Sequence, residues 1–379
     1  MARKNQMKEQ MEEVTQETSS NEREKEKKLA QTERLMPTGS TLLNLSMTDN
    51  ANGGFVLGTM NNIIGDKASG KTILSLTVLA MAAHDPRFDN YHLIYDDVEN
   101  ANAFDMEYMF GDKTAERIKL PYYNKDEGER EPSDDILDFQ GNILDYSKSN
   151  EPFIYVLDSY DALSAKEDIQ KLEDRVEAQR KGNKEPAGSY GMAKPRASSE
   201  ILRAVNRRVK YSNSLLLIIS QTRDAINNPY QSKTRSGGNA LDFYSFHILW
   251  FSVASQIKKK ERVIGNHAKV RMERSKANGK KNRVVDFPIY YEFGIDDLSS
   301  CIDFLIDEKF WHKPSNQQKI EAPEFGFIDD GDKDNRATKE KIIQHIESNN
   351  LEDELVKITQ NAWNQIEDEI RPKHRKKRF

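Results

Sequence analysis

Eight consecutive residues, Gly65-Asp66-Lys67-Ala68-Ser69-Gly70-Lys71-Thr72, fit the pattern G-x-x-x-x-G-K-[ST]. The chemistry that needs this pattern is the grip on a nucleoside triphosphate. Its glycines let the backbone wrap closely, so that N–H groups and a helix N-terminus face the phosphates. Lys71 is expected to reach the β- and γ-phosphates, and the Thr72 hydroxyl to coordinate Mg²⁺. Three further polar residues follow short apolar runs. Asp158 closes Phe153-Ile154-Tyr155-Val156-Leu157, and a carboxylate there holds the same metal through water; its plain alternative is a solvated strand end. Glu99 closes Asp96-Asp97-Val98-Glu99 and is placed to polarise an attacking water, although alone it is as readily a surface acid. Gln221 follows the run 215–220 and is placed to contact the γ-phosphate and report on it to the loop beyond, although a lone Gln at a strand end is more often structural.

These residues need a scaffold that brings four distant segments together. The apolar runs at 60–64, 92–95, 153–157 and 215–220 are rich in β-formers, and helical patterns separate them. One helix is expected from 72 to 83, one from about 133, and one with Ile201, Leu202, Val205 and Val209 on a single face. Alternating strands and helices predict an α/β fold with a mostly parallel central sheet and helices on both faces. In such sheets ligands bind at the carboxyl ends of the strands, where the polar residues above fall. A strongly basic stretch at 258–283 predicts a hairpin turning at Gly265-Asn266. After Cys301 a small α/β appendage is expected, with one helix over 339–370.

Composition limits the rest. Of 379 residues, 36% are hydrophobic and 31% charged, so part of the chain is expected to lie outside a core. Residues 1–35 carry dense charge with little apolar periodicity and read as a tail or a subunit-contacting arm; 166–187 reads as a charged surface excursion. The single cysteine, Cys301, excludes a disulfide framework and a Cys-based zinc site. No apolar run is long enough for a membrane span, and the first ten residues, MARKNQMKEQ, lack the apolar core of a signal peptide, so a cytoplasmic protein is expected. A net charge of −5 offers no global basic field, so any nucleic-acid contact must be local.

Taken in order, Thr38-Gly39-Ser40, the phosphate loop, Asp97-Val98-Glu99-Asn100-Ala101, Leu157-Asp158-Ser159 and Gly237-Gly238-Asn239-Ala240-Leu241 resemble the RecA-type recombinases. The phosphate loop alone indicates only a P-loop NTPase; the Gly-Gly-Asn-Ala-Leu element is far more specific. The resemblance covers about residues 36–305. It implies that Glu99 is the catalytic carboxylate that orients water and that Gln221 switches between ATP and DNA. It also implies two DNA-binding loops. The first, 188–196, leads to Arg196, Ser199 and Arg203, types that hold phosphate oxygens. The second, 222–236, carries Arg223 and Tyr230 and runs into Gly237 and Gly238. Basic side chains with backbone amides and an aromatic wedge suit single-stranded DNA. Arg274 and Lys276 look like the two cations that cap ATP from a neighbouring subunit, although a charge run is usually a solvated face.

The resemblance divides the chain into a charged arm (1–35), an ATPase core with DNA loops (36–299), a small C-terminal domain (300–371) and a basic tail (372–379). It implies ATP and Mg²⁺ as cofactors, single-stranded and homologous duplex DNA as partners, and a helical homo-oligomer that carries out strand exchange. The insertion at 166–187, an arm with no clear apolar assembly motif and the basic rather than acidic terminus look more like the divergent phage-type UvsX group than a housekeeping member. The tail adds DNA affinity, serves as a nuclear address or merely solubilises. Two other classes remain open: a different motor of the same fold, such as a hexameric helicase or branch-migration enzyme, and a DNA-coating protein that binds ATP without using it.

Overall fold

A computed structural model describes residues 32–100, 104–124, 129–148, 151–165, 193–224, 233–235, 238–314, 318–328 and 335–371, with isolated positions between 170 and 181. Most of the charged arm, most of the 166–187 excursion and the basic tail lie outside these residues.

The centre is a ten-stranded sheet. Its strands are β1 (Thr59–Gly65), β2 (His92–Asp97), β3 (Ile118–Lys119), β4 (Phe153–Asp158), β5 (Leu215–Asp224), β6 (Lys233–Arg235), β7 (His247–Lys259), β8 (Arg262–Ser275), β9 (Arg283–Tyr290) and β10 (Gly294–Ile295). The order is β10-β9-β8-β7-β1-β5-β4-β2-β3, with β6 on β5. Pairing is parallel from β7 across to β3 and antiparallel from β7 out to β10 and between β5 and β6. The sheet is therefore mixed rather than mostly parallel. Helical crossovers enforce parallel pairing in one half, whereas a direct hairpin between β7 and β8 enforces antiparallel pairing in the other.

Both faces of the parallel half are buried, which explains its near-continuous apolar runs. Along β4, Ile154 and Val156 join one apolar cluster, while Phe153, Tyr155 and Leu157 join the other. The first face is covered by α1 (Thr41–Thr48) and α2 (Lys71–His84), the second by α3 (Ile136–Lys148) and α4 (Ala193–Tyr211). α5 (Gly238–Tyr244) packs against α4. A third cluster, including Cys301, Leu305, Trp311 and Ile346, lies among α6 (Asp297–Asp307), α7 (Lys339–Asn349) and α8 (Glu352–Glu369). The single helix expected over 339–370 is thus two, because Asn350 takes a left-handed φ of 52° and stops the first.

The β7–β8 hairpin forms, but not with the expected turn. It reverses at Lys260-Glu261, with φ of 47° and 63°, between the paired Lys259 and Arg262. Gly265 sits inside β8, where an added Cβ would lie 2.3 Å from the Ile289 carbonyl oxygen. That glycine serves a close strand approach rather than a turn.

His247, at the start of β7, is fully buried, and neither ring nitrogen has a hydrogen-bond partner among the described residues. Burial, reinforced by nearby Lys276, holds its pKa down to about 3 from 6.5. The unfolded chain therefore binds this proton at higher pH than the folded one. Its contribution to stability is complete above about pH 6.5 and is lost as pH falls toward 3. The urea midpoint of the wild type is expected to fall between pH 7 and pH 4 more steeply than that of His247→Leu; parallel slopes would refute this.

Candidate nucleotide site

The β1 strand ends at Gly65, paired with Gln221 of β5 on one side and Phe251 of β7 on the other. β2 and β4 end together at Asp97 and Asp158. This register brings the phosphate loop, Glu99, Asp158 and Gln221 to one edge of the sheet. A cleft of about 240 Å³ opens there, lined by residues 68–73, Tyr95, Asp97, Glu99 and Asp158, and closed by Asn266, Ile289 and Tyr291. Two glycines permit the geometry. An added Cβ at Gly65 would lie 2.6 Å from the Phe251 carbonyl oxygen, and one at Gly70, the N-cap of α2 at φ 99°, would lie 2.4 Å from Ile289 Cδ1.

Lys71 is buried, and its Nζ donates to the carbonyl oxygen of Asp66 at 2.6 Å. Burial lowers its pKa, while the carboxylates of Asp158, Asp66, Glu99 and Asp161 pull it back up. Thr72 Oγ1 donates to Asp158 Oδ2 at 2.7 Å, and the Tyr95 hydroxyl donates to the same oxygen at 3.1 Å. Burial raises the Asp158 pKa, opposed by these two hydroxyls and by Lys71. Glu99 Oε1 accepts from Ser159 Oγ and, at 2.7 Å, from Gln221 Nε2. The Gln221 backbone N–H donates to Asp161 Oδ2 at 2.7 Å.

One ammonium among several carboxylates does not by itself welcome a polyanion, so this donor set suits a phosphate accompanied by a divalent cation. Thr72 and Asp158 offer hard oxygens side by side, as Mg²⁺ prefers, and leave its other ligands to phosphate and water. Among the described residues no group of three or more His, Cys, Asp or Glu holds a metal unaided. Ser69 Oγ, buried in the loop without a hydrogen-bond partner among the described residues, fits a phosphate oxygen.

The residues expected to meet DNA are placed less completely. The helix α4 begins at Ala193, so Arg196 stands in its first turns rather than in a loop. Ser199 and Arg203 are exposed and one turn apart on the same helix. Arg223 lies on β5, whose end forms an antiparallel ribbon with β6; the pairs are Thr222 with Arg235, Arg223 with Thr234 and Asp224 with Lys233. Gly238 opens α5. Tyr230, Gly237 and residues 188–192 lie outside the described residues. Arg274 and Lys276 turn toward the end of α5: Arg274 Nη2 donates to the carbonyls of Asp242 and Ser245, and Lys276 Nζ to that of Phe243 at 3.2 Å.

A family model described as the RecA N-terminal domain matches residues 7–296. The chain belongs to the RecA family. Among its relatives, "Protein RecA" of Chlorobaculum parvum is 27% identical over 275 residues, 72% of this chain and 70% of that one. "Protein RecA" of Marinobacter nauticus is 27% identical over 263 residues, covering 69% and 67%. "Protein RecA" of Methylococcus capsulatus is 27% identical over 280 residues, covering 74% and 72%. ATPase function in general comes with this family. No helix among the described residues is long and apolar enough to cross a membrane.

Sequence reasoning missed the residues that enclose the cleft. Tyr95 was legible in principle, because strand alternation puts it on the same face of β2 as Asp97. Asn266 and Tyr291 were not, since they reach the phosphate loop only through the antiparallel half of the sheet. Asn266 Nδ2 lies 3.5 Å from the Ala68 carbonyl oxygen.

Proposed function

We propose that this RecA-family chain is an ATP-dependent recombinase that coats single-stranded DNA as a helical homo-oligomer, pairs it with a homologous duplex, and hydrolyses ATP to release it. The observation that carries this reading is the 2.7 Å hydrogen bond from Gln221 Nε2 to Glu99 Oε1. It ties the carboxylate next to the phosphate loop to the residue at which the DNA ribbon departs, which an ATPase without DNA coupling would not need.

Phosphate entry draws Lys71 from the Asp66 carbonyl to the β- and γ-phosphates, beside the backbone of residues 65–72. Thr72 and, through water, Asp158 would hold a Mg²⁺ ion, whose chemistry there would be neutralisation of phosphate charge. Tyr95 keeps Asp158 oriented. Glu99 accepts a hydrogen bond from water and aligns it for in-line attack, and Gln221 gives up Glu99 for the γ-phosphate. Such a site works by positioning and charge rather than by covalent catalysis. Arg274 and Lys276 cap ATP in the adjoining subunit, which makes hydrolysis depend on assembly. Arg196, Ser199, Arg203 and Arg223 hold DNA phosphates, Tyr230 wedges between bases, and Gly237 and Gly238 let the backbone approach the strand. In this reading the core spans 36–299, a small domain spans 300–371, and the protein works in the cytoplasm, that of a host cell for a phage-encoded chain.

Electron microscopy of the protein with single-stranded DNA and a non-hydrolysable ATP analogue tests the reading. Helical filaments are expected. Closed rings would sink it in favour of a hexameric motor, and absence of DNA-stimulated phosphate release would leave a coating protein.

A further inference from the structure

The backbone ladder between β1 and β5 ends at the pair Gly65–Gln221. One residue further, the strands part: β1 turns into the phosphate loop and β5 runs into the ribbon with β6. At that point of divergence a side-chain bond replaces the missing rung, with Thr222 Oγ1 donating to Asp66 Oδ1. The main-chain carbonyl of the same Asp66 accepts from Lys71 Nζ at 2.6 Å. Asp66 thus touches the phosphate-binding ammonium with its backbone and the root of the ribbon with its carboxylate. Thr222 in turn is paired with Arg235 across the ribbon. None of these contacts passes through Gln221 or Glu99.

We propose that Asp66 and Thr222 are positioning residues forming a second tether between the nucleotide and the DNA ribbon, separate from the Glu99–Gln221 contact. The proposal rests on the reading of 65–72 as an ATP site and of 222–236 as a DNA loop. Two states with different contacts define it. Without nucleotide, Lys71 holds the Asp66 peptide by its carbonyl. When Lys71 moves to phosphate, that carbonyl loses its cation while it still accepts from the Ser69 N–H at 3.3 Å, and the side chain carries the resulting shift of the peptide to Thr222. By linkage the effect runs both ways: a strand bound along the ribbon holds Thr222, and through it the Asp66 peptide, so DNA and nucleotide each tighten the other.

The measurement is the affinity of the full-length protein for a fluorescent, non-hydrolysable ATP analogue, with and without an oligo-dT strand. The quantity read is the ratio of the two affinities. In the wild type, DNA is expected to tighten the nucleotide about tenfold. In Thr222→Val, which keeps the shape and removes the donor, the ratio is expected to fall to about two, a loss of about fivefold that lies within the range of a single intramolecular hydrogen bond. Thr222→Ser restores the hydroxyl and is expected to restore the ratio, which separates a role for the bond from loss of packing. A full ratio in Thr222→Val overturns the tether, as does a drop in both affinities that leaves the ratio intact, because Thr222 would then only shape the phosphate loop. A failure of the Ser variant to recover the ratio likewise counts against the bond. A wild type with no DNA effect on nucleotide affinity overturns the functional reading itself, and the tether with it.

Discussion

Glu99→Gln is expected to bind ATP as the wild type does and to release phosphate on single-stranded DNA at least about 100-fold more slowly. The substitution keeps the side chain's length and leaves an amide oxygen that accepts from Ser159 Oγ and Gln221 Nε2 as Glu99 Oε1 does. The phosphate loop is untouched, since Lys71, Thr72 and Asp158 bond among themselves and to Asp66 and Tyr95. Only the negative charge is gone, which in the proposed mechanism orients and polarises the water. Steady-state phosphate release with and without oligo-dT, set beside a titration with a fluorescent nucleotide, separates chemistry from binding. A variant that turns over within a few-fold of the wild type would remove Glu99 from the chemistry. Unchanged urea midpoints would show that the loss is not one of folding.

The second large effect concerns stability. Arg283→Ala is expected to cost about 1.5–3 kcal/mol, the range for hydrogen bonds to charged groups. Arg283 Nη1 lies 2.7 Å from Asp49 Oδ1, and Nη2 pairs with Glu367. Arg283 and Glu367 side chains are each only 13% exposed. The guanidinium also donates to the Ser46 carbonyl at 3.2 Å, at the end of α1, and lies 5.0 Å from the centre of the Trp363 ring on α8. It therefore joins β9, α1 and α8, and with them the third apolar cluster to the sheet. Burial pushes the Asp49 carboxyl upward, but Arg283, Trp363 and Lys280 more than offset this and leave its pKa below the ordinary 3.8. A lowered carboxyl pKa means that the clamp is complete above about pH 4 and weakens as pH falls below it. Urea unfolding of Arg283→Ala at pH 7 measures the cost. Lys280 Nζ pairs with Glu367 and with Asp49 as well, so Glu367→Ala is expected to cost less on the Arg283→Ala background than in the wild type, its contact with Arg283 being already gone. A cost under about 1 kcal/mol would make the cluster an ordinary surface ion pair.

Much of the site was legible in advance because its signals are local. A phosphate loop needs its own glycines, lysine and hydroxyl in one short stretch, and the flanking strand and helix announce themselves by apolar runs at 60–64 and 73–83. Strand ends carrying Asp158, Glu99 and Gln221 could be placed for the same reason. The hairpin turn was misplaced because Lys260 and Glu261 show no turn preference by type, while the glycine that looked like a turn serves a close approach to Ile289. The helix break at Asn350 was hidden because helical spacing continues on both sides of it.

By itself, then, the chain's order of residues determined the α/β class, the candidate nucleotide residues and the family, since these rest on short-range patterns that survive without a partner segment. Tertiary structure alone decided which residues close the cleft, how Asp66 meets Thr222, and that Arg283 fastens α8 to the core. Those contacts join positions up to 238 residues apart, and their geometry follows from sheet order and register. No local spacing encodes that order, because it is set by which packing of all the strands buries the most apolar surface.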